Sequence, residues 1–381
     1  MRVSILGAGP AGLYAAILLK RSRPDIRVRV VEQNPSGATF GFGVVFSDKA
    51  LAFLEDDDPE TAALIEPALE RWSDITVVHR GERIAIDGVG FAAISRLELL
   101  ALLRQRAAEL GVHPEYESRI EDLAEVEPAD LIIGADGLNS RVRAAAPEVY
   151  GEFLEYLDNR FIWYGAEREF DTLTQTFVDT RFGPMNAHHY RYAPGRSTFI
   201  IEMTPPVFEA TGFAGMAEPD YRRVCAECFD GALEGARLVA NNSVWRRFPV
   251  LRCRRWHHGK HVLVGDALHT AHFSIGSGTR LAMEDVAAMV RALETHDWDP
   301  AAALPAYQAQ REPILDKIVA AAGRSADWYE HFDQHMALVP WEFALRYIRR
   351  GGRVDAKRLR RLAPRFSAEL QRRGVDMERV A

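Results

Sequence analysis

Two glycine-rich turns, far apart in the chain, carry residue types suited to holding an anion. The first is Gly7-Ala8-Gly9-Pro10-Ala11-Gly12, between an apolar run and a helical one. Gly7 permits a tight turn, Gly9 lets a pyrophosphate approach the backbone, and Gly12 lets helix and strand pack closely. The start of the helix then faces the negative charge. Glu32 lies 20 residues beyond Gly12, at the end of the next apolar run, where a carboxylate can take ribose hydroxyls. This element specifies a dinucleotide and leaves NAD and FAD both open.

The second turn favours FAD. Gly265-Asp266 follows the apolar Leu263-Val264, and Gly276-Ser277-Gly278-Thr279-Arg280 then opens a helix. An NAD-only fold has no need of a second acidic turn so far downstream. FAD has, because its ribityl chain carries hydroxyls away from the adenosine. Asp266 is expected to accept from them, and the loop aims backbone N–H groups at the flavin. A helix start there stabilises the negative charge of the reduced ring. A third element, Asp136-Gly137 followed by Asn139, Arg141 and Arg143, reads either as a turn capping the next helix or as part of the same site.

The elements that must position these turns form an α/β pattern. Val3–Leu6 reads as a buried strand, Pro10–Arg21 as a helix stopped before Pro24, and Val28–Val31 as a second strand. Residues 33–45, with Gly37, Gly41 and Gly43, read as a loop. Helical patches are expected near Asp48–Glu55 and Pro59–Arg71, and short strands near Ile75–His79 and Arg83–Asp87. Ser95-x-x-Glu98 has capping-box spacing, with an apolar helix face of Leu97, Leu100, Leu103, Ala107 and Leu110. Leu131–Ile133 is the strand before Asp136. From Phe161 to Met203 the pattern changes to β runs rich in aromatics. Val262–Val264 returns to the first unit, and helices dominate from Thr279 onward. The expected organisation is an FAD-binding Rossmann-like domain over 1–72, 92–155 and 253–300. A β-sheet substrate domain is inserted over 73–91 and 156–252, and a helical region with a basic tail follows over 301–381.

The composition bounds the class. With 381 residues, 48% apolar and 27% charged, the chain can bury a substantial core. Three cysteines make no disulfide framework, so a reducing, cytoplasmic compartment is expected. Cys225-x-x-Cys228 has no second pair and reads as two helix cysteines, so no metal is expected. No apolar run reaches about 18 residues, so no membrane span is expected. The net charge of −7 is uneven: Arg346–Ala381 holds 12 basic and 4 acidic residues. Such a tail reads as a solvated helical surface or as a phosphate site. Neither nucleic acid nor membrane is expected as a partner. The oligomeric state is open, a homodimer among the options.

Gly7–Gly12, Asp136-Gly137 and Gly265-Asp266, in this order, resemble the single-component flavoprotein aromatic hydroxylases of the p-hydroxybenzoate hydroxylase type, over Met1 to about Ala322. Gly41-Phe42-Gly43-Val44-Val45-Phe46-Ser47, Trp163-Tyr164-Gly165 and His269-Thr270-Ala271-His272-Phe273-Ser274-Ile275-Gly276 resemble the salicylyl-CoA 5-hydroxylase and 2-aminobenzoyl-CoA monooxygenase branch. That branch is also similar to the tryptophan-type hydroxylases of violacein synthesis. The resemblance implies that Gly7, Gly9, Ala11 and Gly12 line the pyrophosphate of a non-covalent FAD, and that Glu32 and Gln33 meet the adenosine ribose. It places Gly43 and Val44 beside the isoalloxazine, Arg96 and Asp136 on the FAD, Asp266 at the ribityl chain, and Gly278, Thr279 and Arg280 at the pyrimidine edge. His272-Phe273 stands where the common pattern has prolines, and an arginine often found near Gly41 is missing. Longer family members add a second flavin domain, so a two-step hydroxylase–reductase activity is not expected here.

The implied reaction uses NADH or NADPH to reduce FAD. Oxygen then forms a flavin C4a-hydroperoxide, which hydroxylates an electron-rich ring. The cofactor carries this chemistry, and the protein holds the ring, excludes water and manages protons. Candidates for the protons are His188, His189, Tyr190, His269 and His272, each also readable as a structural residue. His272 is the first choice, next to Phe273 as an aromatic wall. His188 and Tyr190 share one strand face. The expected substrate is an aryl-CoA ester such as salicylyl-CoA, and the alternative is a free tryptophan, indole-type or aromatic acid. CoA phosphates would pair with arginines, either Arg246, Arg247, Arg252, Arg254 and Arg255, or Arg349, Arg350 and Arg353 in the tail. The Trp-x-Trp-x-Ile-Pro signature of flavin halogenases is absent.

Overall fold

The computed structural model describes residues 1–39, 41–47 and 52–378. Four apolar strands, Arg2–Leu6, Arg27–Val31, Leu131–Gly134 and His261–Leu263, pair in parallel, with the two-residue strand His257–His258 antiparallel at one edge. The strands are buried because helices cover the sheet, as near-continuous apolar strands require. Helix α1 (Pro10–Ser22) follows the first strand. Helix α2 (Arg96–Glu109) and helix α3 (Gly278–Thr295) pack on α1. Helix α4 (Pro300–Glu330) lies along α3.

Parallel pairing brings the carboxyl ends of all four strands to one edge. Gly7 follows Leu6, Glu32 follows Val31, Asp136 follows the third strand, and Asp266 follows the fourth. Turns separated by hundreds of residues therefore meet where open α/β sheets bind ligands.

A second sheet has seven strands. Its order is Leu238–Val239, Arg160–Ala166, Arg196–Met203, Gly183–Ala193, Leu173–Thr180, Ile75–His79 and Glu82–Ile86. Two-residue alternation gives it two distinct faces. Ile162, Tyr164, Ala187, Phe199 and Ile201 pack into a core closed by the helix Glu218–Cys228. Phe161, Trp163, His188, Tyr190 and Ile200 face the opposite way. Cys225 and Cys228 sit on that closing helix, and burial raises both thiols.

Several local expectations are corrected. Residues 43–45 of the expected glycine-rich loop belong to a strand, Gly43–Ser47, which pairs with Phe91–Ser95 beside Glu70–Trp72. The helix expected over Pro59–Arg71 ends at Ile65, because Pro67 has no N–H to continue the ladder. The helix expected near Asp48 is described only as Ala52–Asp57, and residues 48–51 lie outside the described residues. Ser95 precedes α2 but makes no side-chain cap, since it is held in the strand, and Phe42 O takes the Arg96 N–H at 2.8 Å. Leu97 is 47% exposed, and Leu99 takes its expected place in the core.

The basic tail is held down by its apolar face, while Arg353, Lys357, Arg358, Arg360 and Arg361 stay exposed as a solvated surface. Helices Pro340–Arg349, Ala356–Leu362 and Pro364–Arg372 bury Phe343, Tyr347, Leu359 and Phe366 against Val77, Ile84 and Ile86 of the seven-stranded sheet. Arg365 pairs with Asp74 and Asp87. Among the described residues no helix is long and apolar enough to cross a membrane.

Candidate active site

One continuous cavity of about 990 Å³ runs from the carboxyl edge of the parallel sheet to the aromatic face of the seven-stranded sheet. Gly7, Gly9, Ala11, Glu32 and Gln33 line one end. Gly43, Val44, Arg96, Asp136, Asp266, Gly278 and Thr279 line its length, and His188, Tyr190 and Phe273 line the far end. The three sequence turns thus border a single space.

The first end is built for an anion. Gly9 is the N-cap of α1 and supplies no side-chain cap, and the first turn of α1 holds no acid. The start of α3 at Gly278 has the same character: Ser277 gives no side-chain cap, and no acid follows in the first turn. Two helix starts with free N–H groups therefore border one cavity, and their dipoles favour negative charge there. A Cβ built on Gly9, Gly137 or Gly278 meets no atom within 4 Å, so these glycines keep the wall open. Glu32 accepts from Ala8 N and Asn34 N, both at 2.9 Å, which fixes its carboxylate at the rim.

The middle holds charges that call for a polar guest. Asp136 Oδ2 accepts from Arg141 N at 2.6 Å, while its buried Oδ1 has no partner among the described residues. Burial raises the Asp136 carboxyl. Burial also raises Asp266, opposed by His269 and Arg96. Burial lowers Arg96, opposed by Asp266 and Tyr190. A buried unpaired carboxylate oxygen is costly unless a ligand donates to it. These features fit a long cofactor with a pyrophosphate at one end and hydroxyls in the middle.

Residues 1–322 match the model of the FAD binding domain family. The chain belongs to that family. It is 39% identical over 360 residues to salicyloyl-CoA 5-hydroxylase from a Streptomyces species, covering 92% of this chain and 70% of that one. It is 35% identical over 360 residues to the 3-hydroxy-4-methyl-anthranilyl-[aryl-carrier protein] 5-monooxygenase of Streptosporangium sibiricum, covering 93% and 95%. The fold is similar to that of 2-methyl-3-hydroxypyridine-5-carboxylic acid oxygenase, with a TM-score of 0.71 at 21% identity, covering 92% and 95%. The chain is an FAD-dependent aromatic monooxygenase, an enzyme class that takes electrons from NAD(P)H.

Within this FAD-family site, three expected residues stand elsewhere. Gly12 lies under the turn rather than in the cavity wall; a Cβ there would sit 1.8 Å from Gly7 O, so its role is close packing. Arg280 turns along α3 to Glu284 at 2.6 Å and does not line the cavity. His272 does not line it either. Its ring packs edge-on against Phe248, 4.8 Å between centroids, and borders a second cavity of about 570 Å³ behind Thr270 and Ala271. Burial, aided by Arg350, pushes His272 down to about 3, so it stays neutral. Phe273 faces the large cavity, with Phe161 at 5.1 Å.

His189 and His269 are structural. His189 Nε2 meets Thr176 Oγ1 at 2.9 Å on the opposite sheet face, and His269 Nε2 meets Asp285 at 2.7 Å. Tyr190 donates to Gly43 O at 2.9 Å and tethers the sheet to the strand bordering the cavity. The arginine cluster is dispersed. Arg246 is exposed at the cavity wall, Arg247 pairs with Asp158, and Arg252 faces the second cavity. In the tail, Arg350 donates to Ser274 O at 2.8 Å and lies over Tyr347. Sequence reasoning did not assign roles to Asp285 and Arg311, nor the linking role of Arg143. Arg143 donates to Ala267 O at 2.8 Å and also to Leu138 O, joining the two aspartate turns. Only a spatial contact reveals that role.

Proposed function

We propose that this enzyme hydroxylates an aromatic ring presented as an aryl-CoA thioester, with salicyloyl-CoA oxidised at its 5-position as the first candidate. The observation that carries the reading is the single cavity. Its anion-binding end opens without a break onto an aromatic floor, and Arg246 stands exposed in its wall. The names of both relatives describe a 5-oxidation of an aryl group held on a carrier, CoA in one and an aryl-carrier protein in the other, which supports the choice.

In this reading Gly7, Gly9 and Ala11 hold the pyrophosphate, and Glu32 and Gln33 the adenosine ribose. Asp136, Asp266 and Arg96 hold the polar middle. Gly43, Val44, Gly278 and Thr279 border the flavin ring. FAD, reduced by NADH or NADPH, supplies activated oxygen, one atom going to the ring and one to water. The chain's own work is placement and charge. The helix starts stabilise negative charge beside the flavin. Phe161, Trp163 and Phe273 hold the substrate ring and exclude water. Arg246 pairs with a phosphate of the CoA arm. Three unpaired cysteines fit a reducing, cytoplasmic setting.

The test is oxidation of NADH and NADPH by the FAD-loaded protein with salicyloyl-CoA, salicylate or tryptophan, with the product identified. Consumption coupled to a dihydroxybenzoyl-CoA product supports the reading. Acceleration by a free acid or tryptophan alone overturns the thioester assignment.

A further inference from the structure

Trp163, Ile200 and His188 stand in register on three neighbouring strands, on the face that floors the large cavity. Ile200 is apolar, and Trp163 Nε1, itself buried without a partner among the described residues, can only donate. Tyr190, two residues along from His188, already gives its hydroxyl hydrogen to Gly43 O. His188 differs from these neighbours. Its side chain is buried at 4% exposure, and neither ring nitrogen has a hydrogen-bond partner among the described residues. The ring borders both the large cavity and a void of about 50 Å³ walled by Arg350, Tyr347 and Ser274.

A neutral imidazole carries one N–H and one lone pair on opposite sides of its ring. Burial, with Arg350 adding to it, pushes His188 down to about 3, so the ring is neutral at working pH. A water in the small void can satisfy at most one of the two nitrogens, because they point apart. The other is left to whatever fills the large cavity. An unmade buried hydrogen bond costs about 1–3 kcal/mol, so the site discriminates for a guest that completes it.

Resting on the aryl-thioester reading above, we propose that His188 is the specificity-determining residue for the ring substituent: it accepts a hydrogen bond from a hydroxyl or amino group on the substrate ring, while the ring lies over Ile200. The enzyme therefore selects aryl thioesters bearing a donor on the ring. Rings bearing hydrogen or methoxy at that position offer no donor, so the imidazole lone pair stays unsatisfied.

The test is equilibrium titration of the FAD-loaded protein, following the flavin absorbance, with salicyloyl-CoA, benzoyl-CoA and 2-methoxybenzoyl-CoA. Wild type is expected to bind salicyloyl-CoA about tenfold or more tightly than the other two. His188→Phe is expected to retain FAD and to bring the three affinities together, and His188→Gln to restore part of the preference. Binding of all three by wild type without preference overturns the proposal. So does His188→Phe keeping the wild-type ratio. Both outcomes leave the aryl-thioester reading standing. If none of the three esters perturbs the flavin and none accelerates NAD(P)H oxidation, that reading fails, and this proposal with it.

Discussion

His269 Nε2 lies 2.7 Å from Asp285 Oδ2, and both side chains are buried. The same oxygen accepts from Gly265 N at 3.2 Å, and Oδ1 accepts from Arg311 Nε at 2.9 Å. One carboxylate on α3 thus anchors the turn that presents Asp266, and it does so from behind the cavity.

Asp285→Asn is expected to destabilise the fold by about 1–3 kcal/mol, because buried Arg311 loses one of its two carboxylate partners and keeps only Glu284. Burial alone would raise the Asp285 carboxyl, but His269 and Arg311 outweigh it and the net shift is downward. A depressed carboxylate contributes stability above its unfolded value that is lost as pH falls through its folded value. Flavin release should therefore set in below about pH 4 in wild type. Denaturant titration and flavin fluorescence across pH 3–6 check both points.

Gly9 and Gly12 should respond oppositely to the same change. A Cβ on Gly9 enters open cavity, and its backbone is extended, with φ of −73°. Gly9→Ala should keep the apoprotein Tm and weaken FAD binding by about tenfold or more. A Cβ on Gly12 meets Gly7 O at 1.8 Å. Gly12→Ala should lower the Tm of the apoprotein itself. Thermal melts with and without FAD distinguish the two.

Glu202 predicts a pH dependence of opposite sign to that of Asp285. Burial pushes it up to about 8, partly offset by Asn159. The folded state then holds a proton that the unfolded chain releases near its ordinary value, so stability falls as pH rises from about 4.5 to about 8. At pH 7 the cost is on the order of 3 kcal/mol. Glu202→Gln should flatten this slope and raise the Tm at pH 8 more than at pH 5. Equal shifts at both pH values would contradict it.

Arg246 and Arg353 separate the two places where CoA phosphates were expected to bind. Arg246 lines the cavity and Arg353 is exposed on the tail. Arg246→Glu should weaken salicyloyl-CoA binding by about tenfold and leave salicylate unaffected. Arg353→Glu should change neither. Reversal of the two outcomes in a titration would move the CoA site to the tail.

The glycine turns, their strands and the acid at position 32 were readable because each is a local matter: a positive φ, a period of two, a helix start. His188 and Tyr190 were legible as one strand face for the same reason. The sequence gives no sign that neighbours His272 and Phe273 face different cavities. The two rings pack 4.2 Å apart, with Phe273 on the side of the large cavity and His272 on that of the second. The Gly43–Ser47 strand was hidden among glycines, because its pairing partner lies nearly 50 residues away.

By itself the sequence determined the cofactor class, since a dinucleotide grip needs particular residues at particular spacings along the backbone, and its family resemblance pointed to the chemistry. Tertiary structure decided which side chains meet the guest. Parallel pairing gathered Gly7, Glu32, Asp136 and Asp266 at one edge, the aromatic floor was laid opposite them, and tail arginines such as Arg350 and Arg365 went into packing and ion pairs. Those outcomes depend on contacts between distant segments, where burial and close packing, rather than local pattern, set what each residue faces.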